Sequence, residues 1–384
     1  MKKWPMGKRK NILLFIDWFL PGYKAGGPIQ SVNNMISHLN DEFYFYVVTS
    51  NKDLGEKEPY QNIPFNSWID KQSFHIIYLD EAHQNKAEYF RLIKEASFYA
   101  IYFNSFFSIK FSLLPQWIYR SVEIKKVLAP RGMLGAGALA IKPLKKQVFL
   151  KLFRWLGFHK KVVWHATSEL EKDEIIKQLG DNLEIKIAPN LSSKMAPFVE
   201  STKEVHHLKV FFLSRIAFKK GLIHALNFLQ ETKKEMKITF SIIGPIDEKD
   251  YWDKCQKIIN NMPSNVMVDY LGAIPNFQLA TVLQKQHVLL LPTMHENFGH
   301  VIMESWQNGC PVIISNQTPW RNLKDKQIGN DISLSKSSEF VEMLNTFSLM
   351  DEKTFNLWSR SSYNYAKVFT ENPKLIESTK NIFF

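Results

Sequence analysis

The sequence predicts an α/β protein of two Rossmann-like domains, each a parallel sheet covered by helices, with the two sheets facing each other across a cleft. Three observations carry this. Strand-length apolar runs alternate with helix-length amphipathic segments, as in parallel sheets buried on both faces. A polar stretch without periodicity, LSSKMAPFVESTKEVHH from Leu191, separates two such series. The length of 384 residues fits two or three domains of about 150 residues each.

The first series opens with NILLFI (11–16), the loop DWFLPGYKAGGP, a helix from about Ile29 to Leu39 and the strand FYFYVVTS (43–50), together a βαβ unit. Further strands are expected at FHIIYL (74–79), AIYFN (100–104), KVLAP (126–130) and VVWHAT (162–167). A helix over residues 169–179 closed by Gly180 follows, and then EIKIAPN (184–190). The second series runs LKVFFLS (208–214), ITFSIIG (238–244), VMVDYLG (266–272), HVLLLPT (287–293) and PVIIS (311–315), separated by helical patterns. The expected domains are 1–190 and 191–365, with a terminal helix over 366–384. Ligands of such folds bind beyond the carboxyl ends of the strands.

Composition excludes several classes. At 45% hydrophobic and 22% charged the chain is an ordinary globular protein. Two cysteines, Cys255 and Cys310, argue for a reducing compartment and buried thiols rather than a disulfide framework. The start, MKKWPMGKRKNILLFIDWFL, mimics a signal peptide, but Asp17 interrupts its apolar run and no small-residue cleavage site follows, so it reads as a first strand. No run reaches the roughly 18 apolar residues of a membrane span. A cytoplasmic location is expected.

The formal net charge of +12 is concentrated. Residues 124–168 contain no Asp or Glu but ten Lys or Arg. Within them KPLKKQVFLKLFRWLGFHKK (142–161) mixes cations with Val148, Phe149, Leu152, Phe153, Trp155 and Leu156. Such a helix suits an anionic membrane surface; it equally suits a core-facing stripe with solvated lysines. Nucleic acid is the weaker third reading, since no recognised module accompanies the charge.

Two segments carry chemistry. In FFLSRIAFKKGLIHALNFL (211–229), Arg215 and Lys220 lie between a strand end and a helix start, a combination suited to a phosphate or diphosphate. In HENFGHVIMESWQNGCPVIIS (295–315), Glu296 lies on the loop after a buried strand and Glu304 inside the following helix. Carboxylates are good acceptors for diols, such as those of a sugar ring and a ribose. The amides of Asn297, Phe298, Gly299 and His300 at that helix start are placed to meet the diphosphate between them. No Asp-x-Asp and no dense His or Cys cluster occurs, so neither metal nor cofactor is expected.

At these residues the chain resembles the family-four retaining glycosyltransferases of GT-B fold. The resemblance runs through PGYKAGGPIQSV, SRIAFKKG, IIGP, YLGAI and, above all, the glutamate pair with seven residues between. It implies that Arg215 and Lys220 bind the donor diphosphate, that Glu296 faces the donor sugar and that Glu304 binds the ribose. It also places Gly26, Gly27 and Gly244 at donor-binding turns, and implies that the terminal helix returns to the first domain. APRGM (129–133) and HATSELE (165–171) put Arg131 and His165 on the acceptor side. Arg131 stands where a histidine-containing turn often occurs. The expected reaction is transfer of a sugar from a UDP- or GDP-sugar to a saccharide or lipid-linked saccharide in cell-surface polysaccharide biosynthesis, with retention and without a metal. The expected partners are this donor and acceptor and an anionic membrane surface. Two other readings stay open: a sugar-nucleotide epimerase of the same architecture, and a non-catalytic basic module for membranes or nucleic acid.

Overall fold

Each apolar run becomes a strand because its neighbours on both sides, and helices on both faces, remove it from water. The computed structural model describes residues 9–140 and 143–384, which form two compact units. Met1 to Lys8, and with them most of the basic start of the chain, lie outside the described residues, as does Lys142.

The first unit comprises Met1–Leu191 and Asn372–Phe384. Its strands are β1 (Lys10–Phe15), β2 (Phe43–Ser50), β3 (Ile69–Asp70), β4 (Phe74–Leu79), β5 (Ala100–Phe103), β6 (Lys125–Leu128), β7 (Val163–Ala166) and β8 (Ile185–Ile187). They form one sheet in the order β3-β4-β2-β1-β5-β6-β7-β8. All pairings are parallel except the short edge pair β3·β4, where Ile69 faces Ile76. Alternate residues of β1 enter different cores: Leu13 and Phe15 join Tyr46, Phe103 and Trp164, while Ile12 and Leu14 join Phe45, Val47 and Tyr102. That alternation is the period of two of a strand covered on both faces.

The second unit, Ser192–Glu371, holds β9 (His207–Leu213), β10 (Lys237–Ile243), β11 (Val266–Gly272), β12 (Val288–Leu291), β13 (Val312–Ser315) and β14 (Gly329–Ile332). The order is β11-β10-β9-β12-β13-β14, parallel throughout. In each sheet the chain first builds outward on one side and then crosses to the other. The switch lies between β1 and β5 in the first unit and between β9 and β12 in the second. Crevices at such points are where open α/β sheets bind ligands.

The terminal boundary differs from 366. The helix Glu352–Thr370 belongs to the second unit, because Phe355 and Ala366 are fully buried in its core. The chain passes to the first unit only at Asn372, where the helix Pro373–Asn381 begins and Phe383 packs 5.0 Å from the Phe43 ring. Between these the linker is pinned rather than loose. Lys203 donates to the carbonyls of Glu204, Ser348 and Met350, and His287 lies against the Thr202 carbonyl. Cys255 and Cys310 are free and buried. Among the described residues no helix is long and apolar enough to cross a membrane.

Candidate active site

The site grows from three neighbouring strands, β10, β9 and β12. Beyond the sheet, the loops after β9 and β10 continue to pair: Ser214 N–H donates to Ile243 O at 3.0 Å and Ile216 N–H to Pro245 O at 2.8 Å. This sets Arg215 beside Asp247, with Nη1 to Oδ2 at 2.7 Å. On the other flank the Lys219 carbonyl accepts from Met294 N–H at 2.8 Å and from the Thr293 hydroxyl at 3.2 Å, tying the β9 loop to the β12 loop. Lys220 and Glu296 therefore meet, Nζ to Oε1 at 2.5 Å, with each side chain only 13% exposed. They are 76 positions apart in sequence and straddle the switch point.

Two glycines make these approaches sterically feasible. Gly221, at φ 78°, caps the helix Leu222–Gln230, and a Cβ there would fall on the Pro292 carbonyl oxygen. Gly244, at φ 141°, lies so close to the Ser214 carbonyl that any side chain would strike it. Both positions also lie in the backbone region that favours glycine. The second unit thus uses Gly244 to seat the Arg215 loop, a structural role alongside the expected donor-side one.

After β12 the chain turns through Asn297, Phe298 and Gly299 into the helix His300–Gln307. Phe298 is 7% exposed and packs on Trp320 and Phe369, while its carbonyl accepts from the Trp320 indole at 2.6 Å. Its side chain is thus an anchor, and what the turn presents is backbone. Among the described residues the amides of Phe298 and Gly299 donate to no protein acceptor, and they stand where the helix dipole favours an anion. Asn297 and His300 have partners of their own.

Glu304 lies on the same helix, half-buried. No hydrogen bond or ion pair reaches its carboxylate among the described residues. Burial pushes the group up to about 7. An acid so placed lacks the partner that would stabilise its charge. His295, on the loop before Glu296, is lowered by burial and by the cations Lys219 and Lys220.

The first-unit residues form a separate constellation. Gly26, at φ 66°, precedes the helix Gly27–Leu39, and the loop before it is held by Asp53, which accepts from Tyr23 and Lys24 N–H at 2.9 and 3.2 Å. Arg131 follows β6. His165, in β7, is 2% exposed with both ring nitrogens engaged, which makes it a support beneath Arg131 rather than a group that meets a substrate. Sequence reasoning missed Asp247, Asn104, Asn190 and Tyr102. Asp247 had a signal, since it stands three positions after the glycine of IIGP. The others had none. Among the described residues there is no group of three or more His, Cys, Asp or Glu placed for a metal.

Comparison with known proteins sharpens this geometry. The family described as Glycosyl transferases group 1 matches residues 198–346, a span that contains Arg215, Lys220, Glu296 and Glu304. The matched span lies within the second unit. A further relative, an uncharacterized 41.2 kDa protein in the cps region of Klebsiella pneumoniae, is 28% identical over 202 residues. That match spans 52% of this chain and about half, 47%, of the relative's length. Among solved structures, HepE of Anabaena in complex with UDP and glucose superposes with a TM-score of 0.67 at 15% identity, covering 97% of this chain and 98% of that one. Sucrose-phosphate synthase of Thermosynechococcus elongatus gives a TM-score of 0.72 at 13% identity, with 98% of each chain covered. At these identities the likeness is one of fold, and the fold is GT-B. The span matched by that family holds both members of the glutamate pair.

Proposed function

We propose that the protein transfers a sugar from a nucleoside-diphosphate sugar to a hydroxyl of a saccharide or lipid-linked saccharide in cell-surface polysaccharide biosynthesis. The observation that carries this is the gathering of Lys220, Glu296 and Arg215 at the β9/β12 switch point, with an unpartnered Glu304 on the adjoining helix. The ligand-free chain keeps each cation beside a carboxylate. A donor diphosphate would enter between them and take over Lys220 and Arg215, while the amides of Phe298 and Gly299 face the same charge. Glu304 would accept the two ribose hydroxyls and so gain the partners it lacks. Glu296, released from Lys220, would turn to the sugar hydroxyls.

The difficult step is departure of the nucleoside diphosphate. Its developing charge falls on groups fixed in advance, and losing one such donor costs about 10²–10³ in rate. Transfer with retention follows if the acceptor attacks on the face the diphosphate leaves, its proton passing to the departing phosphate oxygen. No metal or cofactor is assigned a role. The relative in complex with UDP and glucose makes UDP-glucose the first donor to test.

The acceptor side is proposed to work at an anionic membrane surface. In the helix Pro143–Trp155, Leu150 and Phe153 are buried, whereas Leu144, Val148, Leu152 and Trp155 are 78, 67, 52 and 81% exposed. The helix therefore carries two apolar faces, one in the core and one in solvent. Lys145, Lys151 and Arg154 flank the outer one, a composition suited to anionic lipid at about 1 kcal/mol per basic residue.

A thermal-shift screen over UDP-, GDP- and ADP-sugars tests the reading. At least one must stabilise the wild type and fail to stabilise Lys220→Met. If none stabilises the wild type, the donor site is wrong. The anomeric configuration of the product, read by proton NMR, decides retention.

A further inference from the structure

The first unit has its own switch point, and polar groups stand there that donor binding does not use. Ser108, beyond β5, donates to Asp17 Oδ1, beyond β1, at 2.5 Å. From β6 comes Arg131 at φ 55°, a left-handed conformation that persists in a non-glycine residue only where its surroundings hold it. The support is extensive. Arg131 Nε donates to Asn104 Oδ1 at 2.8 Å, Nη1 to Asn190 Oδ1, and Nη2 to the Tyr102 hydroxyl at 2.8 Å. Tyr102 in turn donates to His165 Nδ1 at 2.8 Å, and His165 Nε2–H to Ala188 O at 2.8 Å. That tautomer is neutral, in keeping with burial and the nearby guanidinium driving His165 down to about 3. Gly132 N–H closes the turn onto Glu171 Oε1 at 2.5 Å.

All the partners of the guanidinium are neutral. Among the described residues no carboxylate forms an ion pair with Arg131. Glu171 is taken up by Gly132 and Thr167, and Asp17 by Ser108. Three of the five guanidinium N–H donors are spent and two remain. Beside them Asn104, 2% exposed, leaves its Nδ2 without an acceptor. Buried donors are almost always satisfied, so an orphan amide next to a guanidinium whose hydrogen-bond partners are all neutral suits an anionic ligand. A guanidinium held by rigid neutral partners is also oriented before its ligand arrives, which suits a two-oxygen anion.

We propose that Arg131 and Asn104 hold an anionic group, a phosphate or a carboxylate, on the acceptor. This rests on the transferase reading and adds to it a substrate class: the acceptor is charged, either through a phosphate or through an acidic sugar.

The test uses the full-length chain saturated with UDP, titrated calorimetrically with inorganic pyrophosphate and, separately, with glucuronate. Two variants are compared with wild type. Arg131→Met removes the cation, and Asn190→Asp sets a carboxylate against it while keeping the side chain's shape. Affinity for one of the two anions should fall about 10- to 100-fold in both variants, the loss expected of charge-assisted hydrogen bonds. Loss for pyrophosphate assigns a phosphate, and loss for glucuronate an acidic sugar. If wild type binds neither anion, or the variants bind both as wild type does, the proposal is overturned. Should Arg131→Met fail to fold, Asn190→Asp decides alone. UDP affinity in the same samples reports on the donor site separately, so a chain that binds no UDP would sink the donor reading and leave the anion titration legible.

Discussion

Donor binding should be strongly pH-dependent, with Glu304 as the cause. Its carboxyl is pushed up to about 7, and two ribose hydroxyls can donate only to acceptors, so they favour the ionised form. With that value the ionised fraction is about one half at pH 7, about a tenth at pH 6 and about a hundredth at pH 5. Affinity for UDP-glucose should therefore fall roughly tenfold per pH unit below 7 and level off above 8. The diphosphate of UDP-glucose is a diester and does not titrate in this window, and His295→Asn controls for the nearest imidazole, which burial lowers below its usual value. His300→Asn controls for the remaining nearby imidazole. Calorimetry from pH 5.5 to 8.5 on wild type and Glu304→Gln reads the slope directly. The glutamine variant should bind more weakly at pH 8 and show no slope. A flat wild-type profile, or an unchanged slope in Glu304→Gln, would refute the assignment.

Further outcomes follow from the same geometry. Because the folded-state value of Glu304 lies above the usual 4.5, its charge penalty is absent below pH 4.5, grows between 4.5 and 7, and reaches up to about 3 kcal/mol above that; Glu304→Gln should thus melt higher than wild type at pH 8 and equally at pH 4.5. Lys220→Met should lower transfer by about 10²–10³ and, because it leaves the largely buried Glu296 carboxylate without its partner, should also lower the melting temperature; unchanged turnover would remove Lys220 from the mechanism. Gly221→Ala and Gly244→Ala should each cost more stability than an ordinary surface change, measured by urea unfolding, because a Cβ meets backbone carbonyl at both positions. Leu152→Ser with Trp155→Ser should abolish co-sedimentation with anionic vesicles and leave UDP-glucose binding intact; equal recovery with neutral vesicles would count against docking.

Much of the fold was legible because buried parallel strands announce themselves as near-continuous apolar runs. NILLFI, FYFYVVTS and HVLLLPT became β1, β2 and β12 within a residue or two, and the helix Glu169–Leu179 starts at the Ser168 cap and stops at Gly180 as its residues suggest. Short or polar edge elements were not legible: β3 and β14 have two and four residues, and the helices Lys86–Leu92 and Leu114–Ile118 lack a sustained period. The helix Pro143–Trp155 was ambiguous for a physical reason, since both of its readings describe one of its two apolar faces. At the site, the cations and the glutamates could be picked out singly. Their pairing could not, because Lys220 reaches Glu296, and Arg215 reaches Asp247, only through the strand order β10-β9-β12. Asn104 and Asn190 had still less to mark them, each being an isolated amide whose meaning depends on Arg131 standing between them.

The most direct measurement is a crystal structure of the chain soaked with UDP-glucose. The diphosphate should lie against Arg215 and Lys220, the ribose hydroxyls within hydrogen-bond reach of the Glu304 carboxylate, and the Lys220–Glu296 contact should be exchanged for contacts to the ligand. A nucleotide found elsewhere, with that ion pair intact and Glu304 still unpartnered, would contradict the account.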